Sequence, residues 1–220
     1  MRLFKKLLDT SGGNNKLRKN NKDVSLRVAG LSMMPDDIVC AMRWIAACAL
    51  ECLRFSGRGI FDAVEMARQA KTDWYHEDRE AFIAQLVKEI ALFEKLCLKN
   101  GVECWIRLNV LSDVRWELKQ NGSIPQRFPN VNFYDYTKFP KRLNHKLPSN
   151  YQLMFSYSKA EDYQPYVEQA LKTDVPISVV FLGPIPDIFL GRRTVNGDDS
   201  DILNLYPVSY THLTLPTKRI

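Results

Sequence analysis

The stretch Cys40-Ala-Met-Arg-Trp-Ile-Ala-Ala-Cys48-Ala-Leu-Glu-Cys52 sets three thiols within thirteen residues, in the pattern C-x7-C-x3-C. Three thiolates with no fourth cysteine close by suit a metal that keeps one coordination position open. They equally suit an iron–sulfur cluster with one iron left for another ligand. Cys48 and Cys52 stand four residues apart, so on a helix they share one face. Cys40 follows the turn-forming Pro35-Asp36-Asp37 and can fold back onto that face. The plain alternative makes all three small apolar residues of a buried helix, since free cysteine is among the most buried residue types. The spacing matches no standard zinc or ferredoxin pattern, and no CxxC pair occurs. Gly57-Arg58-Gly59 follows the triad directly.

The elements that must hold these residues alternate in type. Residues 24–33 read as a first strand leading into Pro35. Residues 60–75 carry Ile60, Phe61, Val64, Ala67 and Ala70 at helical spacing. Asp78 caps a second helix with the stripe Phe82, Ile83, Leu86, Val87, Ile90, Phe93, Leu96 and Cys97, which stops at Asn100-Gly101. Cys97 belongs to that stripe as a core residue, and His76 reads as a solvated residue at the joint. Strands follow at 102–109, 131–136, 151–156 and 177–182. Helical segments fall between them near 113–120, 138–144 and 160–171. Strand and helix in alternation with short connections build a parallel sheet. The expected fold is α/β: parallel βα repeats forming a partial or incomplete (β/α) barrel, with a helical segment between the first strands.

In such folds ligands sit at the carboxyl ends of the strands. Those ends supply Arg107, Asn109, Ser112 and Asp113 after one strand and Asp135, Thr137 and Lys138 after the next. Ser156 and Ser158 follow the third, and Asn196-Gly-Asp-Asp-Ser-Asp201 adds carboxylates after the fourth. Arg107, inside an apolar strand, either faces a substrate carboxylate or phosphate or pairs with an acid such as Asp135. Asp113 either serves a ligand or caps the helix after it. The 196–201 acids make a turn or hold a divalent cation.

Charge is unevenly distributed. Of a net +6, residues 1–27 carry +6, residues 208–220 carry +2, and the body 28–207 carries −2. The body is therefore not a basic nucleic-acid face, and any contact with phosphate backbone, a weak one, falls to the arm 1–27. The polar, Gly/Asn-rich run 10–23 makes that arm flexible and without a core. No apolar run reaches the ~18 residues of a membrane helix. No export signal is present, and the odd cysteine count fits a reducing compartment, the cytoplasm of a bacterial host. Val-Ser-Tyr-Thr-His-Leu-Thr-Leu-Pro-Thr at 208–217 resembles a translated sequencing adapter. The expected organisation is thus an arm at 1–27, one C-terminally truncated α/β domain at 28–207, and a non-native tail at 208–220.

Several groups stand together in one order: Cys40…Cys48-x3-Cys52, Ser56-Gly-Arg-Gly59, Ala67-Arg-x-x-Lys-Thr72 and Asp78-Arg-Glu-x-Phe82. After them come Arg107-Leu-Asn109…Ser112-Asp113…Trp116-Glu117, Phe133-Tyr-Asp-Tyr-Thr-Lys138 and Gly197-Asp198…Asp201. Over 28–207 they resemble a family of phage and plasmid proteins allied to the gene product 88 group. That resemblance brings no activity with it. Members carry a proline after the first cysteine, where this chain has Ala41, and their first gap is one residue shorter. A cysteine triad after the first strand of a βα series is also similar to the architecture of radical-SAM enzymes, whose triad is C-x3-C-x2-C.

Three readings follow. In the first, Cys40, Cys48 and Cys52 hold a [4Fe–4S] cluster whose free iron chelates S-adenosylmethionine. Arg107, Asn109, Asp113 and Ser156 are then the residues that orient cofactor or substrate. In the second, the cysteines and one further ligand hold a structural zinc in a replication or nucleic-acid-binding module. In the third, they are metal-free core. The substrate is not specified by any of these residues.

Overall fold

Among the described residues nine strands form one sheet: Leu8–Asp9 (β1), Leu26–Leu31 (β2), Glu103–Arg107 (β3), Asn132–Thr137 (β4), Tyr151–Ser156 (β5), Ile177–Val179 (β6), Ile188–Phe189 (β7), Arg192–Asn196 (β8) and Tyr210–His212 (β9). Their order is β1-β2-β3-β4-β5-β6-β9-β8-β7. The computed structural model describes residues 4, 6–10, 25–50, 52–55, 60–181, 183–197 and the backbone of 210–212. Strands β2 to β6 lie side by side in chain order and all run parallel. β9 and β8 continue the parallel run, and β1 and β7 are antiparallel edges. Among the described residues nothing pairs β1 with β7, so the sheet is an open arc, the expected partial barrel. β9 falls inside the stretch 208–220 expected to be a non-native tail.

Neighbouring parallel strands joined by crossovers of one hand put every helix on the same face. The pleat then decides which side chains meet them. Ala29, Leu31, Cys104, Ile106, Phe133, Tyr151 and Leu153 point outward. They pack against Asp62–Glu77 (α1) and Arg79–Lys99 (α2) in the larger core. Phe155, Ile177 and Val179 continue that face into a second core beneath Gln164–Leu171 (α4). Leu26, Val28, Trp105, Arg107, Tyr134 and Tyr136 point inward.

The two long helices follow their sequence signals. The Asp78 carboxylate accepts from the Ala81 amide at 3.0 Å, capping α2. Gly101 ends it with φ +64°, a conformation that costs glycine little. Phe82, Leu86, Ile90, Phe93 and Cys97 are its buried stripe. The short 3-10 segment Pro140–Asn144 and α4 also fall where alternation puts them.

Three stretches differ from expectation. No helix spans 113–120. Asn109 Oδ1 accepts from the Val114 amide at 2.9 Å, and that competes with helical pairing. The chain instead forms a 3-10 turn at Lys119–Asn121, turns at Gly122 (φ +89°), and enters the one-turn helix Ile124–Arg127 (α3). Residues 188–196 form a hairpin whose turn, Leu190-Gly191, has positive φ at both positions. At the start of the chain, Leu7 and Leu8 are buried rather than part of a free arm. Their amides donate to the Glu89 carboxylate at 2.9–3.0 Å, and Lys71 Nζ donates to the Leu7 carbonyl at 3.0 Å. The rest of the expected arm, 11–24, lies outside the described residues. So do Gly57-Arg58-Gly59 and Asp198–Asp201. Among the described residues no helix is long and apolar enough to cross a membrane.

Candidate metal centre at the strand C-terminal rim

β2 delivers the chain into a loop that carries all three clustered cysteines. Asp36 opens it by accepting from the Ile38 and Val39 amides at 2.9 and 2.8 Å. His76 is solvent-exposed as expected, and its Nε2 also meets Asp36 Oδ2 at 2.6 Å, which ties the loop to α1. Burial works against the Asp36 carboxylate, but the Val39 amide, His76 and the Ile38 amide outweigh it and hold the carboxyl below its usual range.

Residues 37–47 are successive turns rather than a helix. Val39 sinks into the larger core, and Met42 and Ala46 sink into the second. Ala47 then takes φ +50°, and the Cys48 and Ala49 amides both return to the Arg43 carbonyl at 3.0 Å. Cys48 and Cys52 are thus brought together by this reversal, not by helical spacing. The 3-10 turn Leu53–Phe55 begins immediately after.

The result is one small cavity of about 20 Å³ lined by Pro35, Cys40, Arg43, Cys48, Cys52 and Arg54. That is room for one water-sized occupant. All three thiols are half-buried and free, whereas Cys97 and Cys104 are buried in the core. Among the described residues no three His, Cys, Asp or Glu side chains already form a ligand set for a metal ion. The three sulfurs share the cavity wall without closing on a common point.

Positive charge surrounds that wall. Arg43 donates to Asp37 at 2.8 Å and to the Pro35 carbonyl at 2.8 Å. Arg54 stacks over Phe55 at 4.1 Å. Arg68 on α1 interacts electrostatically with Cys52, and its Nε is buried with no hydrogen-bond partner among the described residues. Lys138 stands at the exit of β4 and acts electrostatically on Cys40 and Cys48. Its ammonium donates to the Ser156 carbonyl and hydroxyl at 3.0 Å each and to the Tyr157 carbonyl at 3.1 Å. Burial pulls the Lys138 pKa down, while Cys48, Asp113 and Cys40 push it up. The Cys40 thiol is pushed up to about 12, first by burial, then by Asp113 and its sister thiols; Lys138 opposes this. Burial also raises Cys48, with Lys138 again opposing.

The four rim residues expected to orient a cofactor divide by face. Arg107 and Ser156 point to the inner face. Arg107 stacks over Tyr136 at 4.4 Å, and Ser156 lies on Lys138. The pleat sends Asp135 to the outer face with Phe133, and Arg107 still acts on its carboxyl electrostatically. Asn109 and Asp113 belong to a buried framework on that outer side. Both Asn109 amide hydrogens are used, on Asp135 and on the Val114 carbonyl. Its oxygen accepts from Ser112, Val114 and Trp116. No hydrogen-bonding capacity remains on that side chain for a ligand.

Asp113 accepts from Thr137 Oγ1 at 3.0 Å, from the Lys138 amide at 2.8 Å and from Arg142 at 2.6 Å. Arg142 also grips Glu117 with both Nε and Nη2, and donates to the Tyr151 hydroxyl. Tyr151 donates in turn to Asp135 at 2.8 Å. This chain ties the exits of β3 and β4 to the start of β5. Sequence reasoning placed Lys138 among the polar strand-end residues but did not single it out. The signal was available: a lysine one residue beyond an alternating strand points inward.

The sequence matches the family described as Gene product 88 over residues 2–209, and the chain belongs to that family. No curated protein and no solved structure matches it.

Proposed function

We propose that this gene product 88 protein is an iron–sulfur enzyme of radical-SAM-like type. Cys40, Cys48 and Cys52 hold the cluster at the C-terminal rim of the parallel strands. The observation that carries this reading is one cavity walled by three free thiols and flanked by Arg43 and Arg54, with Lys138 and Arg68 acting on those thiols. Arg43 already pairs with Asp37, whereas Arg54, Arg68 and Lys138 form no ion pair among the described residues. Thiolates holding a metal give them partners.

A [4Fe–4S] cluster, if bound, would be held by Cys40, Cys48 and Cys52 and would supply one-electron reducing chemistry toward S-adenosylmethionine. The chain's own residues do the rest. The cavity wall excludes bulk water from the thiolates. Arg107 and Ser156 lie on the inner face of the strand exits, the side on which a cofactor or substrate would be oriented. Asn109 and Asp113 hold the strand exits in register. Protein purified without oxygen is expected to show a broad visible thiolate-to-iron charge-transfer band. Its electron paramagnetic resonance signal is expected to change on adding S-adenosylmethionine. A colourless protein with three freely titratable thiols defeats the proposal.

A single zinc ion is the second reading, favoured by the water-sized cavity, which accepts one ion with less movement than a cluster. In that form the protein is a replication accessory module whose basic residues 1–27 touch nucleic acid. Stoichiometric zinc, with DNA affinity that falls steeply with salt and is lost on deleting the charges of 16–22, distinguishes it.

A further inference from the structure

We infer that Arg54 and Arg68 form a binding site for a doubly charged tetrahedral oxyanion, a phosphate group, at the mouth of the cysteine cavity. This goes beyond the cluster reading and needs no metal. The geometry is set where the cysteine loop meets α1. The Met34 amide donates to the Arg68 carbonyl at 3.2 Å, and Thr72 Oγ1 donates to the Met34 carbonyl at 2.9 Å. These bonds stitch α1 to the segment leaving β2. Both arginines converge on that seam. Arg54 Nη1 points at Met34 Sδ, 3.4 Å away, and its guanidinium lies over the Phe55 ring at 4.1 Å. Arg68 Nη1 reaches the Arg54 carbonyl at 3.4 Å. Arg54 lines the cavity of about 20 Å³, and Arg68 is thereby bonded to the backbone of a lining residue.

The chemistry is that of unspent donors. A guanidinium carries five N–H hydrogens. Arg68 Nε is buried with no hydrogen-bond partner among the described residues, which is costly unless an acceptor arrives. Arg54 spends Nη1 on a thioether, a weak acceptor. Neither arginine forms an ion pair among the described residues; Glu65, one turn earlier on α1, acts on Arg68 electrostatically without pairing with it. Arg43 is already balanced by Asp37 at 2.8 Å. The rest of the cavity wall, Pro35, Ala49 and the three cysteines, brings no carboxylate. Charge then selects the ligand. A carboxylate balances one guanidinium, whereas a phosphate group carries about −1.5 to −2 at pH 7 and offers oxygens to both forks. The cavity admits one water-sized group, the size of a single phosphate oxygen, and the other oxygens stay outside it for Arg68 Nε to donate to.

Isothermal titration calorimetry of the full chain at low ionic strength tests this with inorganic phosphate, methyl phosphate and acetate. One saturable site is expected for phosphate, with acetate bound about tenfold or more weakly. Whichever of the two phosphates binds more tightly tells a free ion from an esterified group, and either result supports the inference. Arg54→Met and Arg68→Met are each expected to lower phosphate affinity about tenfold or more. Arg193→Met, which removes an exposed arginine of β8, should leave it unchanged. By nuclear magnetic resonance the Arg68 Nε–H should exchange with water more slowly once phosphate is bound, a change that packing alone does not produce. No saturable phosphate binding up to about 10 mM overturns the inference. So does wild-type affinity in either arginine variant, or acetate bound as tightly as phosphate. Should Arg68→Met not fold, Arg68→Lys keeps the charge and removes the Nε donor. Phosphate affinity should then still fall, and wild-type affinity in Arg68→Lys overturns the assignment.

Discussion

Replacing Arg142 by Met puts the framework of the strand exits to its hardest test. The Arg142 side chain is fully buried, and its partners Asp113 and Glu117 are 8% and 11% exposed. Burial opposes the charge on Arg142, but Tyr151, Asp113, Glu117 and Asp135 overcome it and keep the guanidinium protonated. Without it, two carboxylates remain in a site where little water can take over. Breaking a buried pair in this way typically costs about 3–5 kcal/mol. Against a total stability of about 5–15 kcal/mol, that is a large share. Urea unfolding followed by tryptophan fluorescence measures it, with Trp116 and Trp105 as buried reporters. The midpoint should fall strongly with the slope unchanged. In Arg142→Met/Asp113→Asn/Glu117→Gln the stranded charges are gone as well, so about 1–2 kcal/mol should return. A loss below about 1 kcal/mol in the single variant, the worth of a surface pair, would refute the reasoning.

Other outcomes follow from the same structure. A Cβ at Gly122 would meet Ile83 Cγ2 at 2.8 Å, at φ +89°. Gly122→Ala should therefore cost about 1–3 kcal/mol, and more than Gly101→Ala, which meets nothing within 4 Å. Glu89→Ala strands the Leu7 and Leu8 amides; hydrogen exchange there should accelerate, with a loss of about 1–3 kcal/mol. Burial pushes Asp135 up to about 7, against hydrogen bonds from Asn109 and Tyr151 and the charge of Arg142. The folded chain thus holds this proton more tightly than the unfolded chain. Its contribution is complete at low pH and is lost as pH rises from the ordinary carboxyl value to about 7. Urea midpoints should drop over that window and level above it, and Asp135→Asn should flatten the drop; a flat wild-type profile contradicts the assignment.

Much of the scaffold is legible in the sequence because its signals are local. The stripe from Phe82 to Cys97, the Asp78 cap and the Asn100-Gly101 stop each sit within one element, and each reappears in the structure. Short apolar runs separated by turn residues identify β3 to β6 for the same reason. The failures are long-range. The helix at 113–120 is lost because Asn109 captures the Val114 amide, and that depends on Asp135, twenty-six residues away, holding Asn109 in place. The reversal that brings Cys48 towards Cys52 needs Ala47 in a left-handed conformation, which nothing about alanine announces. The sequence places Arg142 only in a helical segment near 138–144, and the tertiary fold alone shows the four acceptor atoms it meets. The candidate site is legible as a set of cysteines. Its cations are not, since Lys138, Arg68 and Arg54 come from three separate segments.

Metal content decides the central claim most directly. Iron, zinc and acid-labile sulfide are counted per chain in anaerobically prepared protein, beside the Cys40→Ser, Cys48→Ser and Cys52→Ser variants. The account predicts iron and sulfide in equal amounts in the parent chain, lost on replacing any one of the three cysteines and kept on replacing Cys97. A parent chain with neither iron nor zinc, or one whose metal survives all three replacements, contradicts it.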